Sequence, residues 1–442
     1  MKVRAALPDQ GRDLRLDLFR GLANWLIFFG HIPHSLLAWL TIRNYGFSDG
    51  ADLFVFISGY TATLVYARMM LERGFIVGAT RLWRRVWQIY VAQLLLFLFY
   101  TASVHYAAHD FELPALMDQF NVAGLMDQPA DILIQAVVLR FKPVNLDVLP
   151  LYIVLMAAFP FVLWLMLYWP DTLMLASLAL YVAARHYHWD LTSYPTGVWY
   201  FDPFTWQFLF MLGAWLVLGG AARLATIAHS RWSLLLAIAF LIFALPMTLS
   251  EHVPALQALF PEWLRAIFIP NDKTYLAPYR VAHLIALIVL IVHFIPKDWR
   301  GLNWPIFLPL IKCGQHSLEA FCVGVYLSFV AHFVLITVSD SPLMQLLVGG
   351  CGIAVMVAVA WYRAWSKDVD RLVPRVALMA APPKELLPAG WHALCERSRR
   401  RHQCTDHLKQ QRHRGAATAG DAITAVARPG AAATSAPACD CP

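Results

Sequence analysis

RDLRLDLFRGLANWLIFFGHIPHSLLAWL, residues 12–40, is the stretch of sequence that decides the fold. It is long and apolar enough to cross a bilayer as a helix, yet it keeps Arg20 and His31 within the apolar run. Eleven residues of helix advance about 16 Å and turn through about 1100°, so these two side chains share one face at different depths. Ionisable side chains in a membrane segment are candidates for function. The alternative interpretation is a polar stripe that only pairs this helix with its neighbours.

The composition extends the membrane interpretation to the whole chain. The 442 residues are 59% hydrophobic and 14% charged, with a mean hydropathy of +0.55, whereas a soluble domain carries about 25% charged residues. We therefore predict an all-α fold, a polytopic integral membrane protein with about ten transmembrane helices in residues 1–372. The predicted spans are residues 18–39, 51–70, 86–103, 148–168, 172–184, 204–219, 233–249, 276–295, 317–338 and 343–362.

Two apolar segments are short for a membrane crossing. Residues 172–184 reach the necessary length only if the helix continues towards His188. Residues 131–141 are too short to span the bilayer and are typical of an interfacial or re-entrant segment.

The distribution of basic residues predicts the orientation. The loops and helix ends on one predicted side carry most of the arginines and lysines, whereas the long loop on the other side, residues 105–131, has no lysine or arginine and five acidic residues. Cytoplasmic loops are enriched in Lys and Arg, so both termini are expected in the cytoplasm. The same clustering next to apolar runs explains the net charge of +7 without a nucleic-acid partner.

The tail, residues 373–442, differs from the rest of the chain. It contains a basic cluster, residues 396–403, and ends in a stretch rich in Ala, Gly, Thr and Pro that has nothing to bury, so we expect it to be largely disordered and cytoplasmic. Four of the seven cysteines lie there, without C-x-x-C spacing. They indicate free thiols in a reducing compartment, and the sequence predicts no metal site.

Candidate catalytic residues lie near the predicted outer side. A neutral imidazole in a partly dry cleft suits His31 to take a proton from a hydroxyl, although a single histidine can also be satisfied by a backbone carbonyl. Asp49 and Asp52 open the second span on one helical face. We expect Asp52 to orient His31 and stabilise its protonated form. Asp49 is either part of the site or an ordinary helix N-cap.

Candidate binding residues lie at both ends of the spans. Arg81, Arg84 and Arg85 are suited to the phosphates of a nucleotide-bearing acyl carrier, or they serve only to anchor the third span at the cytoplasmic surface. Glu319 is a carboxylate inside the ninth span, with His316 or a basic residue on another helix as its expected partner. Asp147 lies at the outer mouth of the fourth span.

Several of these segments together resemble the membrane acyltransferase-3 superfamily. Arg20, ten intervening residues and His31 match its Arg/Lys-X10-His signature. SDGADLFVFISGY, RLWRRVWQIY and CGQHSLEAF are similar to its later motifs. Longer segments around these motifs are similar to the OpgC branch, which adds succinyl groups to osmoregulated periplasmic glucans. The segments that carry this likeness are RLDLFRGLANWLIFFGHIP, NYGFSDGADLFVFISGY, NLDVLPLY and FDPFTWQFLFMLGAW, within residues 12–362.

The resemblance implies a multi-pass enzyme of the bacterial inner membrane, surrounded by lipid. It would take an acyl group, succinyl for this branch, from acyl-CoA on the cytoplasmic side and place it on a hydroxyl of a periplasmic glucan. Acyl-CoA is a co-substrate, and no permanently bound cofactor is implied. His31 would be the catalytic histidine and Arg20 the signature basic residue. Many members also carry a late histidine, but Val323 and Gly324 occupy that neighbourhood here.

Two other functions fit the same pattern of residues. A transporter for a glycan or a lipid-linked sugar would use the polar stripe to line a passage, although no internal repeat is visible. The chain could also be a catalytically inactive scaffold. Arg20 and His31 count against this function, because a scaffold has no need of ionisable residues in the bilayer. The residues do not determine the acyl group, although Arg43, Arg140 and Lys142 lie near the outer side and could bind a free carboxylate.

Overall fold

The structure, a computed structural model, describes Ala5, Leu7 and residues 13–379. The chain divides into a compact unit, residues 1–367, and a second unit that begins at Asp368. Most of the described residues are helical, and no β-strand occurs among them. The prediction of a disordered tail falls almost entirely on residues 380–442, which lie outside the described residues, as do the tail cysteines.

Ten long helices account for the ten predicted spans, which confirms the all-α class of the fold. Shorter helices occupy Ala115–Gln119, Gly124–Asp127, Pro129–Val137, Pro254–Gln257, Glu262–Phe268 and Leu308–Gln315. The long helices are α1 (Leu14–Gly30), α2 (Gly50–Arg73), α3 (Phe75–Asp110), α4 (Val148–Tyr168), α5 (Pro170–Tyr187), α6 (Pro203–Ala228, with a kink at Leu216–Gly220), α7 (Arg231–Leu249), α8 (Pro278–Phe294), α9 (Ser317–Thr337) and α10 (Pro342–Met379).

Seven of these helices are long and apolar enough to cross a membrane: α2, α3, α4, α6, α7, α9 and α10. Helices α1 and α8 have 17 residues each, and α5 is more polar than those seven. The chain is therefore a polytopic membrane protein, and the count of about ten crossings stays a prediction.

The first helix ends earlier than predicted. α1 stops at Gly30 instead of continuing to residue 39. The physical reason is Pro33, which has no N–H to continue the helix and disfavours helical geometry at the residue before it. The chain then turns, and Ser35 caps a short 3₁₀ helix, Leu36–Leu40, by accepting a hydrogen bond from the Leu37 N–H at 3.1 Å. His31 consequently lies at a helix end and not within a span.

Close packing of small residues fixes α1 and α2 in the bundle. Helices α2, α3, α4, α6 and α9 share one apolar core. A Cβ added at Gly59 of α2 would overlap the backbone of α6, and one added at Gly21 of α1 would overlap the helix Leu308–Gln315. Small residues allow helix backbones to approach closely in membrane proteins. These contacts hold the helix ends that carry the candidate site residues.

The two ends of the bundle carry different sets of loops. One end, called the His31 end below, contains the C-terminus of α1, the N-terminus of α2 and the loops before α4, α6 and α8, which line two adjoining cavities. The opposite end, called the Arg20 end, contains the first turns of α1 and the C-terminal turns of α2. The structure thus separates Arg20 and His31 as the sequence predicts.

Candidate functional site

His31 is the first residue after α1 and lies at the wall of two cavities. Its backbone N–H closes the last turn by donating to the Ile27 carbonyl at 3.0 Å. Its own carbonyl accepts a hydrogen bond from the Asn145 side chain at 3.4 Å. The imidazole lines two cavities that share part of their walls, one of about 580 Å³ and one of about 50 Å³. A substrate in the larger cavity would have direct access to this side chain.

The surroundings of His31 keep its imidazole neutral. Burial, followed by the positive charge of Lys273, lowers the pKa of His31 to about 3, while the Asp49 carboxylate acts in the opposite direction. Nδ1 is buried and has no hydrogen-bond partner among the described residues. A neutral imidazole can accept a proton or attack a carbonyl carbon. Because burial and the charge of Lys273 disfavour the imidazolium, a negative charge nearby is needed to stabilise it when His31 takes up a proton.

Asp49 and Asp52 form a reciprocal cap at the start of α2. Asp49 Oδ1 accepts the Ala51 N–H at 2.8 Å, and Asp52 Oδ2 accepts the Asp49 N–H at 2.8 Å. This capping box satisfies backbone donors that the helix leaves open. Asp49 is thus a helix N-cap, and it also lines the smaller cavity beside His31. The two alternatives for Asp49 therefore do not exclude each other.

Asp52 pairs with Arg280 of α8 and not with His31. The distance from Arg280 Nη2 to Asp52 Oδ2 is 2.5 Å, and the Asp52 side chain is completely buried. Among the described residues no hydrogen bond joins Asp52 to His31, so the expected orienting contact is absent from the structure. The physical reason is that a guanidinium from a distant part of the chain attracts this carboxylate. Asp49 is the carboxylate beside His31.

A network of four charges, of which Asp52 and Arg280 are buried and Asp49 and Lys273 partly buried, supports this end of α2. Lys273 Nζ lies 2.6 Å from Asp49 Oδ2, and Arg280 Nη2 lies 3.4 Å from the same oxygen. Burial alone would raise the pKa of Asp49, but the charges of Lys273 and then Arg280 hold it below its usual range. Two cations and two carboxylates balance one another. The network ties the loop before α8 to the start of α2 and so fixes one wall of the His31 cavities.

The larger cavity is lined by several charged side chains. Lys142 is 7% exposed, and its ammonium group donates to the Leu139 carbonyl at 3.2 Å and lies 3.5 Å from Ser193 Oγ. Burial lowers the pKa of Lys142 to about 8 and raises that of Asp147 to about 6. The predicted binding residue Asp147 thus lies in the same cavity as His31, together with Arg43 and Lys273.

Two further cavities lie towards the Arg20 end. Arg20 lines both of them, one of about 700 Å³ and one of about 170 Å³. Its guanidinium is held by the Thr61 hydroxyl and lies 3.5 Å from the Ile57 carbonyl. Arg81 lines the larger of these cavities and Arg85 the smaller. Arg84 is exposed and lines neither. The structure therefore brings together Arg20, Arg81 and Arg85 of the predicted basic set.

Glu319 lies apart from these cavities. Its carboxylate accepts from Arg363 Nε of α10 at 3.0 Å. His316 Nδ1 lies 3.3 Å from Lys367 Nζ. Glu319 thus has a basic partner on another helix, one of its two expected partners. The ion pair links α9 to α10. Glu319 itself lines none of these cavities, although the charge of Arg85 is near enough to act on it.

A thin partition separates the cavities of the two ends. Along α4, Val148 lines the His31 cavities and the next residue, Leu149, lines the cavity of about 170 Å³. Along α2, Ala51 lines one side and Phe54 the other. Three residues of helix correspond to about 4.5 Å. Along α2 the cavities of the two ends are therefore separated by less than one helical turn, with Phe54 on the Arg20 side of this partition.

Lys273 and Arg280 are the site residues that the sequence analysis missed. Arg280 had a detectable signal, because it is an ionisable residue inside the predicted span 276–295, as Arg20 is in the first span. Lys273 had none, since a lysine in a loop is common. Among the described residues, no group of three or more His, Cys, Asp or Glu side chains could hold a metal ion.

Comparison with known proteins identifies a family. The model of the family described as OpgC protein matches residues 12–368. No curated protein and no solved structure matches the chain. The matched region contains α1 to α9 and nearly all of the membrane unit, and it agrees with the resemblance to the OpgC branch. Since the match covers more than half of the chain, the protein belongs to the OpgC family, and this membership implies an acyltransferase.

Proposed function

We propose that this protein is an O-acyltransferase that moves an acyl group, succinyl, from acyl-CoA to hydroxyls of a periplasmic glucan. The observation that carries the proposal is the neutral His31 imidazole in a polar cavity of about 580 Å³. We further propose that the enzyme belongs to the acyltransferase-3 superfamily and lies in the bacterial inner membrane with both termini in the cytoplasm. The Arg20 end then faces the cytoplasm and the His31 end the periplasm.

The arginines of the Arg20 end support a nucleotide-bearing donor. Arg20, Arg81 and Arg85 line adjoining cavities of about 700 and 170 Å³. Guanidinium groups bind phosphates through paired hydrogen bonds, so these residues suit the phosphates of CoA. The acyl end of the donor would then point to the partition at Phe54, beyond which lies His31.

The His31 end supports an acceptor that is rich in hydroxyls. Its cavity combines polar side chains, among them Asn145 and Asp147, with the aromatic residues Tyr194 and Tyr200. Aromatic faces with polar groups at their rim suit the stacking and hydrogen bonding of sugar rings. The cavity is open enough for one part of a larger glycan to enter.

The chemistry can follow either of two balanced routes. In direct transfer, His31 takes the proton of the sugar hydroxyl, the oxygen attacks the thioester carbonyl, and the C–S bond breaks. The departing thiolate takes the proton from the imidazolium, so the products are the ester and free CoA thiol. In the relay, one imidazole nitrogen attacks the thioester carbonyl and the C–S bond breaks; the departing thiolate takes the proton of the other ring nitrogen, so CoA leaves as the thiol and a neutral acyl-imidazole remains. The sugar oxygen then attacks the acyl carbon, the bond from that carbon to the imidazole nitrogen breaks, and the hydroxyl proton returns to the imidazole. Asp49 is positioned to stabilise the positive charge that forms on His31.

The test compares two histidines on the same segment. His31→Asn removes the imidazole from the cavity, whereas His34→Asn changes an exposed residue that lines none of these cavities. His34 has φ +57, a geometry that Asn accepts. Purified variants are given succinyl-CoA and glucan, and ester formation is measured by mass spectrometry with release of free thiol.

We expect His34→Asn to match the wild type and His31→Asn to lose ester formation while remaining folded. Ester formation by His31→Asn at the wild-type rate would contradict the role of His31. A wild type that leaves the thioester intact while moving glycan across vesicles would instead indicate the transporter.

A further inference from the structure

Lys142 is a buried cation that forms no ion pair with the described residues. Its side chain is 7% exposed, and the contacts of its ammonium group are the Leu139 carbonyl, the Ser193 hydroxyl and the face of the Trp199 ring, whose centre is 3.9 Å away. All three are neutral. Among the described residues it forms no ion pair, although the charges of Asp147 and Asp190 are near enough to act on it. A buried charge is costly unless an opposite charge accompanies it.

The cavity into which Lys142 opens has an excess of positive charge. Three cations, Arg43, Lys142 and Lys273, and one carboxylate, Asp147, line it. Lys273 is neutralised by Asp49, which leaves Lys142 and the exposed Arg43 against Asp147. Asp147 cannot neutralise both, and burial raises its pKa to about 6. Asp190 also acts on Lys142 but does not line this cavity, and burial raises its pKa to about 7. A ligand that brings a negative group into this cavity would complete the balance.

We propose that Lys142 and Arg43 bind the free carboxylate of the acyl group and so select a dicarboxylic acyl donor over a monocarboxylic one. This inference rests on the proposed function, because it concerns which acyl group reaches His31. Lys142 and His31 line the same cavity, so one molecule can place its reacting carbonyl at His31 and its free carboxylate at Lys142. The phosphates of CoA are not the ligand in question, since the arginines suited to them line the cavities towards the Arg20 end.

A structural role for Lys142 is the alternative. Its hydrogen bond to the Leu139 carbonyl helps to hold the turn that follows the helix Pro129–Val137, in which Leu139 has φ +62. A residue with that role alone would affect all acyl groups equally. Succinyl and butyryl groups have carbon chains of the same length and differ in the terminal carboxylate, so selectivity between succinyl-CoA and butyryl-CoA distinguishes the two roles.

The experiment measures transfer of succinyl and butyryl groups to an uncharged glucan by the purified full-length protein. In Lys142→Met we expect succinyl transfer to fall about tenfold or more, the usual effect of losing a hydrogen bond to a charged group, and butyryl transfer to be unchanged or faster. Lys142→Arg should retain the preference for succinyl. Lys297→Met is the matched control, because Lys297 is an exposed lysine that lines none of these cavities.

Arg43→Gln provides a second test of the inference in case the Lys142 variants do not fold. Arg43 is exposed, so its replacement leaves the packing intact, and we expect a smaller shift in the same direction, about two- to fivefold. Equal loss of both acyl groups in Lys142→Met, or no change of preference in Arg43→Gln when Lys142→Met does not fold, would overturn the inference.

A third arm uses a glucan that carries anionic substituents. If the defect of Lys142→Met appears only with this acceptor and is the same for both donors, the cavity binds a negative group of the acceptor, and the assignment to the acyl group is wrong. A wild type that transfers neither acyl group would refute the proposed function itself, which is a different outcome from a change in preference.

Discussion

Replacing Arg280 with methionine should destabilise the protein strongly, because it leaves Asp52 buried without its partner. The two side chains are 3% and 0% exposed, and their charged atoms lie 2.5 Å apart. For unit charges about 4 Å apart at an effective dielectric constant of about 20, the attraction is about 4 kcal/mol. Removing one partner of a buried pair costs about 3–5 kcal/mol. We expect the free energy of unfolding to fall by that amount in Arg280→Met.

A double variant tests the origin of this loss. In Arg280→Met with Asp52→Asn no charge is left unpaired, so the combined loss should be smaller than the sum of the two single losses by about 2 kcal/mol. The measurement is unfolding of the purified protein in mixed micelles titrated with sodium dodecyl sulfate, followed by helical circular dichroism.

Arg223→Met is the matched control for Arg280→Met. The pair formed by Arg223 and Asp171 has the same separation of 2.5 Å, but its side chains are 46% and 57% exposed. Exposed pairs contribute at most about 1 kcal/mol. If Arg280→Met costs no more than this control, or if the losses of Arg280→Met and Asp52→Asn simply add, burial is not what makes the pair important.

Three further predictions concern donor binding, helix packing and pH. Arg81→Gln should raise the KM for acyl-CoA about tenfold, whereas Arg84→Gln should change it little because that side chain lines none of these cavities; steady-state kinetics decide between them. Gly21→Ala should sharply reduce the yield of folded protein in size-exclusion chromatography, since its Cβ would overlap a neighbouring backbone, while Gly350→Ala has open space and should be tolerated. Raising the pH through about 8 should increase the KM for succinyl-CoA but not for butyryl-CoA, because burial lowers the pKa of Lys142 and deprotonation removes its charge.

The positions of the helices could be predicted because hydropathy is a local property. The prediction for α4, residues 148–168, coincides with the helix in the structure. α3 is longer than predicted at both ends, since it runs from Phe75 to Asp110 and its polar ends continue the backbone hydrogen bonds. Hydropathy detects only the apolar middle of such a helix. The predicted end of α1, residue 39, was wrong. Pro33 ends the helix early although the residues after it are apolar.

The site could be predicted in part. Arg20, His31 and Asp147 stand out because a charged or polar side chain in or beside an apolar run is unusual, and the structure places all three at cavities. The partner of Asp52 could not be predicted, because spacing along α2 shows which residues share a face but not which side chain of another helix lies opposite. That information depends on the tertiary packing of α8, which brings Arg280 to the start of α2.

The early end of α1 has a consequence for the electrostatics of His31. The last carbonyls of the helix, including those of Ile27 and Phe28, point towards His31, whose N–H they accept. A helix C-terminus carries the equivalent of about half a negative elementary charge from its aligned peptide dipoles. This partial charge favours a cation at the residue that follows, whatever the protonation state of the nearby carboxylates. Had α1 continued to residue 39, its negative pole would lie beyond the imidazole, so the break after Gly30 itself helps His31 to hold a proton during the reaction.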